Sequence, residues 1–154
     1  MRMVIQRVRE ASVETGGKTI GKIGQGFAVL LGVGEGDMQE EADYLADRLI
    51  GMRIFEDENG KMNRSIQDIN GEMLIVSQFT LYADAIGGRR PSFTAAASPV
   101  LAKELYDYFI NRLRKTSSLP VQTGEFGADM LVQIANDGPV TILIDTADRK
   151  TKSK

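Results

Sequence analysis

Two segments of this chain have the pattern of an amphipathic helix, and the strand-like segments do not alternate with them. Asp37 and Glu40 form a capping-box pattern that opens the first helix, which should end near Met52. Ser98 and Pro99 are residue types preferred at the start of the second helix, as N-cap and first helical position. Helices and strands that do not alternate favour an α+β fold over a doubly wound parallel sheet. We therefore predict an α+β fold.

The predicted strands are of two kinds. Residues 27–33 are almost continuously apolar, which is typical of a strand that is covered on both faces. Residues 130–135 and 140–145 instead alternate between apolar and polar, and they flank Asn136-Asp137-Gly138. An Asp-Gly pair between alternating segments is a strong hairpin signal. We therefore expect these two segments to form a hairpin, with Pro139 stiffening its turn.

The composition indicates one compact domain. Hydrophobic residues make up 42% of the 154 residues, enough for a sizeable core, and no Pro/Gly/Ser-rich linker divides the chain. We predict a single domain over residues 1–154, in which the basic residues 147–154 form a flexible tail. The apolar runs are shorter than the ~20 residues of a membrane span, and the first residues lack the apolar core of a signal peptide. We expect a soluble, cytoplasmic protein with no membrane partner.

The absence of cysteine and histidine limits the chemistry that this chain can perform. It excludes disulfides and thiolate nucleophiles, and it removes the commonest general base and the commonest imidazole ligand. Catalysis must therefore use hydroxyls, amides, carboxylates, amines, the backbone or the substrate itself. We predict no metal and no cofactor.

The net charge of -2 argues against broad binding along a nucleic-acid duplex, which usually needs a basic face. We therefore expect no DNA partner, and any contact with RNA should be local. The candidate basic sites are Arg89 with Arg90, Lys61 with Arg64, and residues 149–154 of the tail, for which a frayed, solubilising end is the favoured interpretation.

Two short motifs carry most of the chemical information. Ser77-Gln78-Phe79-Thr80 stands where an apolar strand stops, so its hydroxyls and carboxamide emerge from a rigid support. The segment from Asn136 to Thr141 contains the Gly138–Pro139 pair. The residues alone also allow an ordinary structural explanation, in which the hydroxyls satisfy backbone groups and the Gly-Pro pair stiffens a turn.

Together these motifs resemble the paired signature of the D-aminoacyl-tRNA deacylases, which hydrolyse the ester that joins a D-amino acid to tRNA. The resemblance covers nearly the whole chain, and one departure is Gly87, where relatives often carry a basic residue. It implies a strongly curved, barrel-like antiparallel or mixed sheet with two amphipathic helices packed outside. The other segments that resemble the family are residues 1–8, 21–33, 53–63, 90–93 and 123–130.

The resemblance implies a pocket for the aminoacylated 3′ end of tRNA. The four residues that would line it and act in catalysis are Ser77, Gln78, Phe79 and Thr80. With no histidine as a base, water would attack the ester, and the terminal ribose 2′-OH would help to move the proton. A different mechanism stays open, in which Thr80 is a covalent nucleophile. A non-enzymatic RNA- or protein-binding module stays open as well.

The resemblance also implies a homodimer, in which a cis Gly138–Pro139 peptide from one subunit enters the active site of the other. Its main chain would accept hydrogen bonds from the substrate's α-ammonium and reject L-aminoacyl-tRNA, whereas glycyl-tRNA would pass as a secondary substrate. Arg7 would brace this segment, and Phe126 and Met130 would lie near the terminal adenosine. From the residues alone, Arg7 can equally be a solvated strand residue, and the other two can belong to the core.

Overall fold

The computed structural model describes residues 1–151, which form eight strands, three helices and one 3-10 turn. The strands are β1 (Arg2–Thr15), β2 (Lys18–Ile23), β3 (Gly26–Gly32), β4 (Arg53–Glu56), β5 (Met62–Ser65), β6 (Glu72–Ser77), β7 (Val121–Thr123) and β8 (Leu131–Asp145). The helices are α1 (Gln39–Gly51), α2 (Pro99–Ser117) and α3 (Ala147–Thr151). The 3-10 turn covers Phe79–Tyr82.

Six of the strands form one mixed sheet. Its order is β2-β1-β3-β6-β7, and β8 pairs with β1. β1 is antiparallel to β2, β3 and β8, whereas β3, β6 and β7 run parallel to one another. Because β2 also contacts β6 and β7, the sheet curls towards closure. The predicted α+β fold with a barrel-like mixed sheet is confirmed, and β4 and β5 form a separate two-stranded hairpin.

The core lies mainly between the curved sheet and the helices. α1 and α2 pack against each other, and both bury apolar side chains against the sheet, including Leu45 and Phe109. Phe27 of β3 stacks on Phe55 of β4 at 5.1 Å between ring centroids, which joins the small hairpin to this core. A second apolar cluster, around Val13 and Leu74, lies between the strands of the curved sheet. The two predicted helices therefore pack outside the sheet, as expected.

The helix boundaries follow the predicted signals closely. α2 begins after Ser98, whose hydroxyl accepts from the Leu101 N–H at 3.4 Å, with Pro99 in the first position. α1 is followed by Met52 at its C-cap, as predicted, but its N-cap is Met38. The predicted cap at Asp37 is one residue early, because its carboxylate binds the N-terminal ammonium group of the chain at 2.7 Å and the N–H of Gly34 at 2.6 Å.

The predicted hairpin near the C-terminus is wrong. Both of its segments belong to the continuous strand β8, and both pair with β1. Gln6 is opposite Thr141 and Val8 is opposite Asn136, so four residues of β8, 137–140, face one residue of β1. This bulge replaces the turn because β1 is 14 residues long and offers a partner to both halves of β8.

In the predicted flexible tail, Ala147–Thr151 form the short helix α3, and residues 152–154 lie outside the described residues. The start of α3 is held by the Asp145 carboxylate, which accepts from the Ala147 N–H at 3.0 Å. Among residues 1–151, we find no helix with the length and apolar character needed to cross a membrane.

Candidate active site

The first motif forms a rigid corner where β6 ends. The Gln78 N–H donates to the Leu31 carbonyl of β3 at 2.8 Å, and the chain then enters the 3-10 turn, in which the Leu81 N–H donates to the Gln78 carbonyl at 3.3 Å. The Gln78 side-chain amide donates to the Thr80 hydroxyl. Ser77 and Gln78 are half-buried and Thr80 is exposed. The strand end therefore presents hydroxyls and a carboxamide to solvent from a fixed backbone.

Arg2 of β1 contacts the 3-10 turn and holds it in place. Its guanidinium donates to the Leu81 carbonyl at 2.8 Å and to the Asp145 carboxylate at 2.6 Å, and it lies 4.4 Å from the centre of the Tyr82 ring. The hydrogen bond to Asp145 raises the pKa of Arg2. Burial, together with the nearby carboxylate of Asp37, raises the pKa of the Tyr82 hydroxyl, which stays neutral. These contacts fix the turn that follows the motif.

Two glycines at the end of β3 and just after it make this close packing possible. A Cβ at Gly34 would come within 2.6 Å of the Tyr82 ring. A Cβ at Gly32 would lie 3.0 Å from the Gln78 carbonyl oxygen and 3.1 Å from Leu81. The absence of side chains here lets the turn lie directly on the end of β3.

An aromatic pair and a basic loop lie beside the corner. Phe79 is 57% exposed and meets Phe93 edge to face, with 5.1 Å between ring centroids. A pair of backbone hydrogen bonds of 2.8 Å between Asp84 and Ser92 closes the intervening loop. That loop carries the exposed residues Arg89 and Arg90. An exposed aromatic ring and exposed cations in one segment are suited to a single-stranded nucleic acid, which offers bases and phosphates together.

The segment that contains Phe126 and Met130 leaves the sheet at the same edge. β7 is parallel to β6, with Thr123 beside Ile75, and the Gly124 N–H donates to the Ile75 carbonyl at 3.1 Å. Phe126 is half-buried, with its ring 5.8 Å from that of Tyr106. The Met130 sulfur lies over Gly124, where a Cβ would be 2.6 Å away. Both predicted residues pack against core clusters and are partly exposed, and their contact with adenosine stays a prediction.

The second motif lies in the bulge of β8. The Arg7 guanidinium is buried, and it donates to the Asp137 carbonyl at 3.0 Å and to the Ile54 carbonyl of β4 at 2.8 Å. Arg7 is therefore not a solvated strand residue. The Gly138–Pro139 peptide bond is cis, and both residues are exposed.

Position 138 requires glycine. Its φ of +127° lies in a region that L side chains rarely adopt. A Cβ there would also come within 2.8 Å of Val140 and 3.0 Å of the Arg7 guanidinium. The close approach of Arg7 to the backbone therefore depends on the missing side chain.

The two motifs lie far apart within one protomer. In the strand register, Ser77 is level with Leu31 and Met3, whereas the bulge faces Arg7, four residues further along β1. At about 3.3 Å per residue this is about 13 Å along the strands, and the three strand spacings from β6 to β8 add about 14 Å across them. Arg7, Gly138 and Pro139 form one group, and the residues at the end of β6 form another.

Part of this site could not be read from local sequence patterns. Arg2 and Tyr82 are far apart in the sequence, and no residue pattern near either one indicates their contact. Phe93 could be connected with the site only through the resemblance of residues 90–93 to the family. Among residues 1–151, no three acidic side chains come together in a group that could hold a metal ion.

Known proteins resemble this chain over nearly its whole length. The family model described as D-Tyr-tRNA(Tyr) deacylase matches residues 4–145. A protein of Thermosipho africanus named D-aminoacyl-tRNA deacylase is 60% identical over 146 residues, which are 95% of this chain and 97% of that protein. A solved structure titled c-Myc DNA Unwinding Element Binding Protein has 43% identity and a TM-score of 0.89, covering 94% of this chain and 98% of that one. A probable eukaryotic D-amino acid tRNA deacylase, at 18% identity, shares the fold with a TM-score of 0.79 over 94% of this chain and 98% of its own.

Proposed function

The chain belongs to the D-Tyr-tRNA(Tyr) deacylase family, and from this premise we propose how it selects and hydrolyses its substrate. It is an ester hydrolase that acts on D-aminoacyl-tRNA. We propose that it rejects L-aminoacyl-tRNA with the Gly138–Pro139 segment of a second copy of the chain. The observation that carries this proposal is the separation of the two motifs, because a segment at one end of the sheet does not reach the other end of its own protomer.

A homodimer is supported by the outer edge of β8. Among the described strands, β8 pairs with β1 alone, so its other edge is unpaired over 15 residues. Leu131 and Leu143 on this strand are 55% and 65% exposed. Long exposed edges with apolar side chains are usually covered, and an isologous contact would cover this edge in both copies at once. The same contact would bring each bulge towards the other copy.

We propose hydrolysis without an acyl-enzyme. The hydroxyl of Thr80 is hydrogen-bonded to the side-chain amide of Gln78, which cannot accept its proton. A threonine hydroxyl is a weak nucleophile without an adjacent base. Water, with help from the ribose 2′-OH of the substrate, is therefore the better attacking group. Main-chain N–H groups where β6 ends would stabilise the oxyanion, and such a donor is typically worth about 3 to 4 kcal/mol.

Chiral selection would depend on main-chain atoms. An enzyme that accepts many D side chains must recognise the Cα atom and its amine, because the side chain varies. Gly138 and Pro139 are exposed residues. Their carbonyls would accept hydrogen bonds from the α-ammonium group, and the same main chain would block an L side chain. Glycine lacks a side chain, so we propose that glycyl-tRNA is a secondary substrate.

The tRNA end would be bound locally. We propose that Phe79, Phe126 and Met130 surround the terminal adenosine, and that Arg89 and Arg90 contact phosphates. We also propose that the protein acts in the cytoplasm, where aminoacyl-tRNA is formed and used. A DNA-binding role, named for one relative, is less well supported here, because the net charge is -2.

The test of activity and selection uses D-tyrosyl-tRNA and L-tyrosyl-tRNA. We expect the wild-type protein to hydrolyse the D ester, to spare the L ester, and to elute as a dimer in size-exclusion chromatography with light scattering. Pro139→Ala should loosen the rejection of the L ester. Thr80→Ala should retain most of the activity, and its complete loss would favour a covalent mechanism. A wild-type protein that leaves the lifetime of the D ester unchanged would favour a binding module.

The contribution across subunits is tested with mixed dimers. One subunit carries Pro139→Ala, and the other carries Gln78→Ala, which removes the carboxamide from its own strand end. If selection acts in trans, the intact strand end of the first subunit meets an intact Gly-Pro segment from the second. The rate of L-tyrosyl-tRNA cleavage per intact strand end should then be lower than in the Pro139→Ala homodimer. Unreduced L cleavage per intact strand end would show that each subunit uses its own segment.

A further inference from the structure

One side chain ties together the two ends of the bulge in β8. The Gln6 Oε1 atom accepts a hydrogen bond of 2.7 Å from the Asn136 side-chain amide and another of 2.5 Å from the Thr141 hydroxyl. The two donors also lie 3.5 Å from each other. Asn136 is the last residue before the bulge and Thr141 is the first after it. A single oxygen atom therefore fixes the distance between the points where the chain leaves β1 and returns to it.

Gln6 and Arg7 hold the bulge in different ways. Successive residues of a strand point to opposite faces, so these two neighbours approach β8 from opposite sides. Arg7 contacts the Asp137 carbonyl, at the start of the bulge. Gln6 contacts the residues at both ends. Gln6 therefore holds Thr141, the residue at which the chain returns to β1. The Arg7 guanidinium instead donates to the carbonyls of Asp137 and Ile54.

We propose that Gln6 is a positioning residue for chiral selection. Its two hydrogen bonds set the distance between Asn136 and Thr141. This distance would fix how far the carbonyls of Gly138 and Pro139 project from β1, and so whether they bind an α-ammonium group and exclude an L side chain. This inference rests on the proposed function of the Gly-Pro segment. A group that distinguishes a hydrogen atom from a side chain at Cα tolerates little displacement, since misplacement by about 1 Å can change a rate by roughly 100-fold.

The role predicts an effect on selectivity that is larger than the effect on folding. The three side chains form neutral hydrogen bonds at an exposed part of the protomer, and such bonds contribute little to net stability. The ladder between β1 and β8 continues on both sides of the bulge. Loss of the Gln6 contacts should therefore leave the fold intact while the Gly-Pro segment gains freedom.

The experiment compares Gln6→Leu, which has similar size and no acceptor, with Gln6→Glu, which keeps an acceptor oxygen for both donors. Single-turnover rates are measured with D- and L-tyrosyl-tRNA. We expect Gln6→Leu to raise the ratio of L to D cleavage by about 10- to 100-fold, and Gln6→Glu to stay near the wild-type ratio. Gln122→Leu, at an exposed strand position without a recorded side-chain hydrogen bond among the described residues, is the control and should change nothing.

A second variant guards against misfolding of the first. Thr141→Val is nearly isosteric and removes one of the two donors to Gln6, so it should give a smaller shift in the same direction. As a spectroscopic test, the Gly138 amide resonance should move in Gln6→Leu and Thr141→Val, while the resonances of α1 and α2 stay in place.

The outcomes separate this inference from the proposal on which it rests. A wild-type L to D ratio in Gln6→Leu, or a Gln6→Glu protein that behaves like Gln6→Leu, would overturn the positioning role. If Pro139→Ala changes the ratio in the same experiment, the proposed function of the Gly-Pro segment stands and the role of Gln6 alone fails. If Pro139→Ala also has no effect, the function proposed for the segment fails first.

Discussion

Replacing Arg7 tests whether the bulge in β8 depends on a buried cation. Its side chain is 8% exposed, and it donates to one carbonyl in β8 and one in β4, at 3.0 and 2.8 Å. Hydrogen bonds to a charged group are worth about 1.5 to 3 kcal/mol each, so two of them set an upper range of about 3 to 6 kcal/mol. Water entering the vacated space will satisfy part of this. We expect Arg7→Ala to lower the free energy of unfolding by roughly 2 to 4 kcal/mol, out of the 5 to 15 kcal/mol typical of a domain.

Arg9 provides a matched control from the same strand. Its side chain is 80% exposed and it pairs with the Asp137 carboxylate at 3.3 Å, so Arg9→Ala should cost less than about 1 kcal/mol. The assay is equilibrium unfolding in urea at one fixed protein concentration, because the proposed dimerisation would make the apparent stability depend on concentration. Arg7→Ala should also raise L-tyrosyl-tRNA cleavage, since it frees the Asp137 carbonyl. Equal destabilisation by the two variants, or a loss below about 0.5 kcal/mol in Arg7→Ala, would refute the reasoning.

Two further predictions concern charge. Replacing Arg89 and Arg90 by alanine should flatten the dependence of log kcat/KM on log salt concentration by about 0.7 for each lost phosphate contact, whereas Lys18→Ala should not; an unchanged slope would contradict contact with phosphates. Asp145 is partly buried, which opposes ionisation, but the Ala147 N–H and the Arg2 guanidinium together lower its pKa. The stability that this gives is present above the unfolded pKa of about 3.9 and is lost as pH falls through the folded value. Asp145→Asn should therefore be less stable than wild type at pH 7, with a difference that shrinks below about pH 4; a constant difference in thermal unfolding from pH 7 to 3 would count against it.

Local signals in the sequence were sufficient to predict α1 and α2, but not the short helix α3. Ser98 and Pro99 mark the start of α2 because the cap and the first helical position depend on a few neighbouring residues. α1 shows where such signals end. Asp37 has a suitable residue type for a cap, but its carboxylate binds an ammonium group that is 36 residues away in sequence. A tertiary contact of this kind moves a helix boundary by one residue and leaves no local trace.

The sequence allowed a prediction of which residues form the candidate site, but not of most contacts between them. The strand end at Ser77 follows from the apolar run before it, and its exposed polar groups follow from the stop of that run. The contacts of Arg2 with the turn join residues 79 positions apart, so no local pattern could indicate them. The bulge was hidden for a related reason. Asn-Asp-Gly is a hairpin signal only if the two flanking segments have no better partner, and β1 provides one for both.

The failure of the hairpin prediction bears on how chirality could be judged. A hairpin loop is anchored at one end of a strand pair, and its tip is usually the most mobile part of the pair. The segment 137–140 is instead flanked on both sides by strand that is paired with β1, and the side chains of Gln6 and Arg7 hold it between these anchors. Its carbonyls are therefore fixed from both directions. In the proposed chiral selection, these main-chain atoms would have to distinguish a hydrogen atom from a side chain. That task would need a fixed placement, which a free turn with the same sequence would not provide.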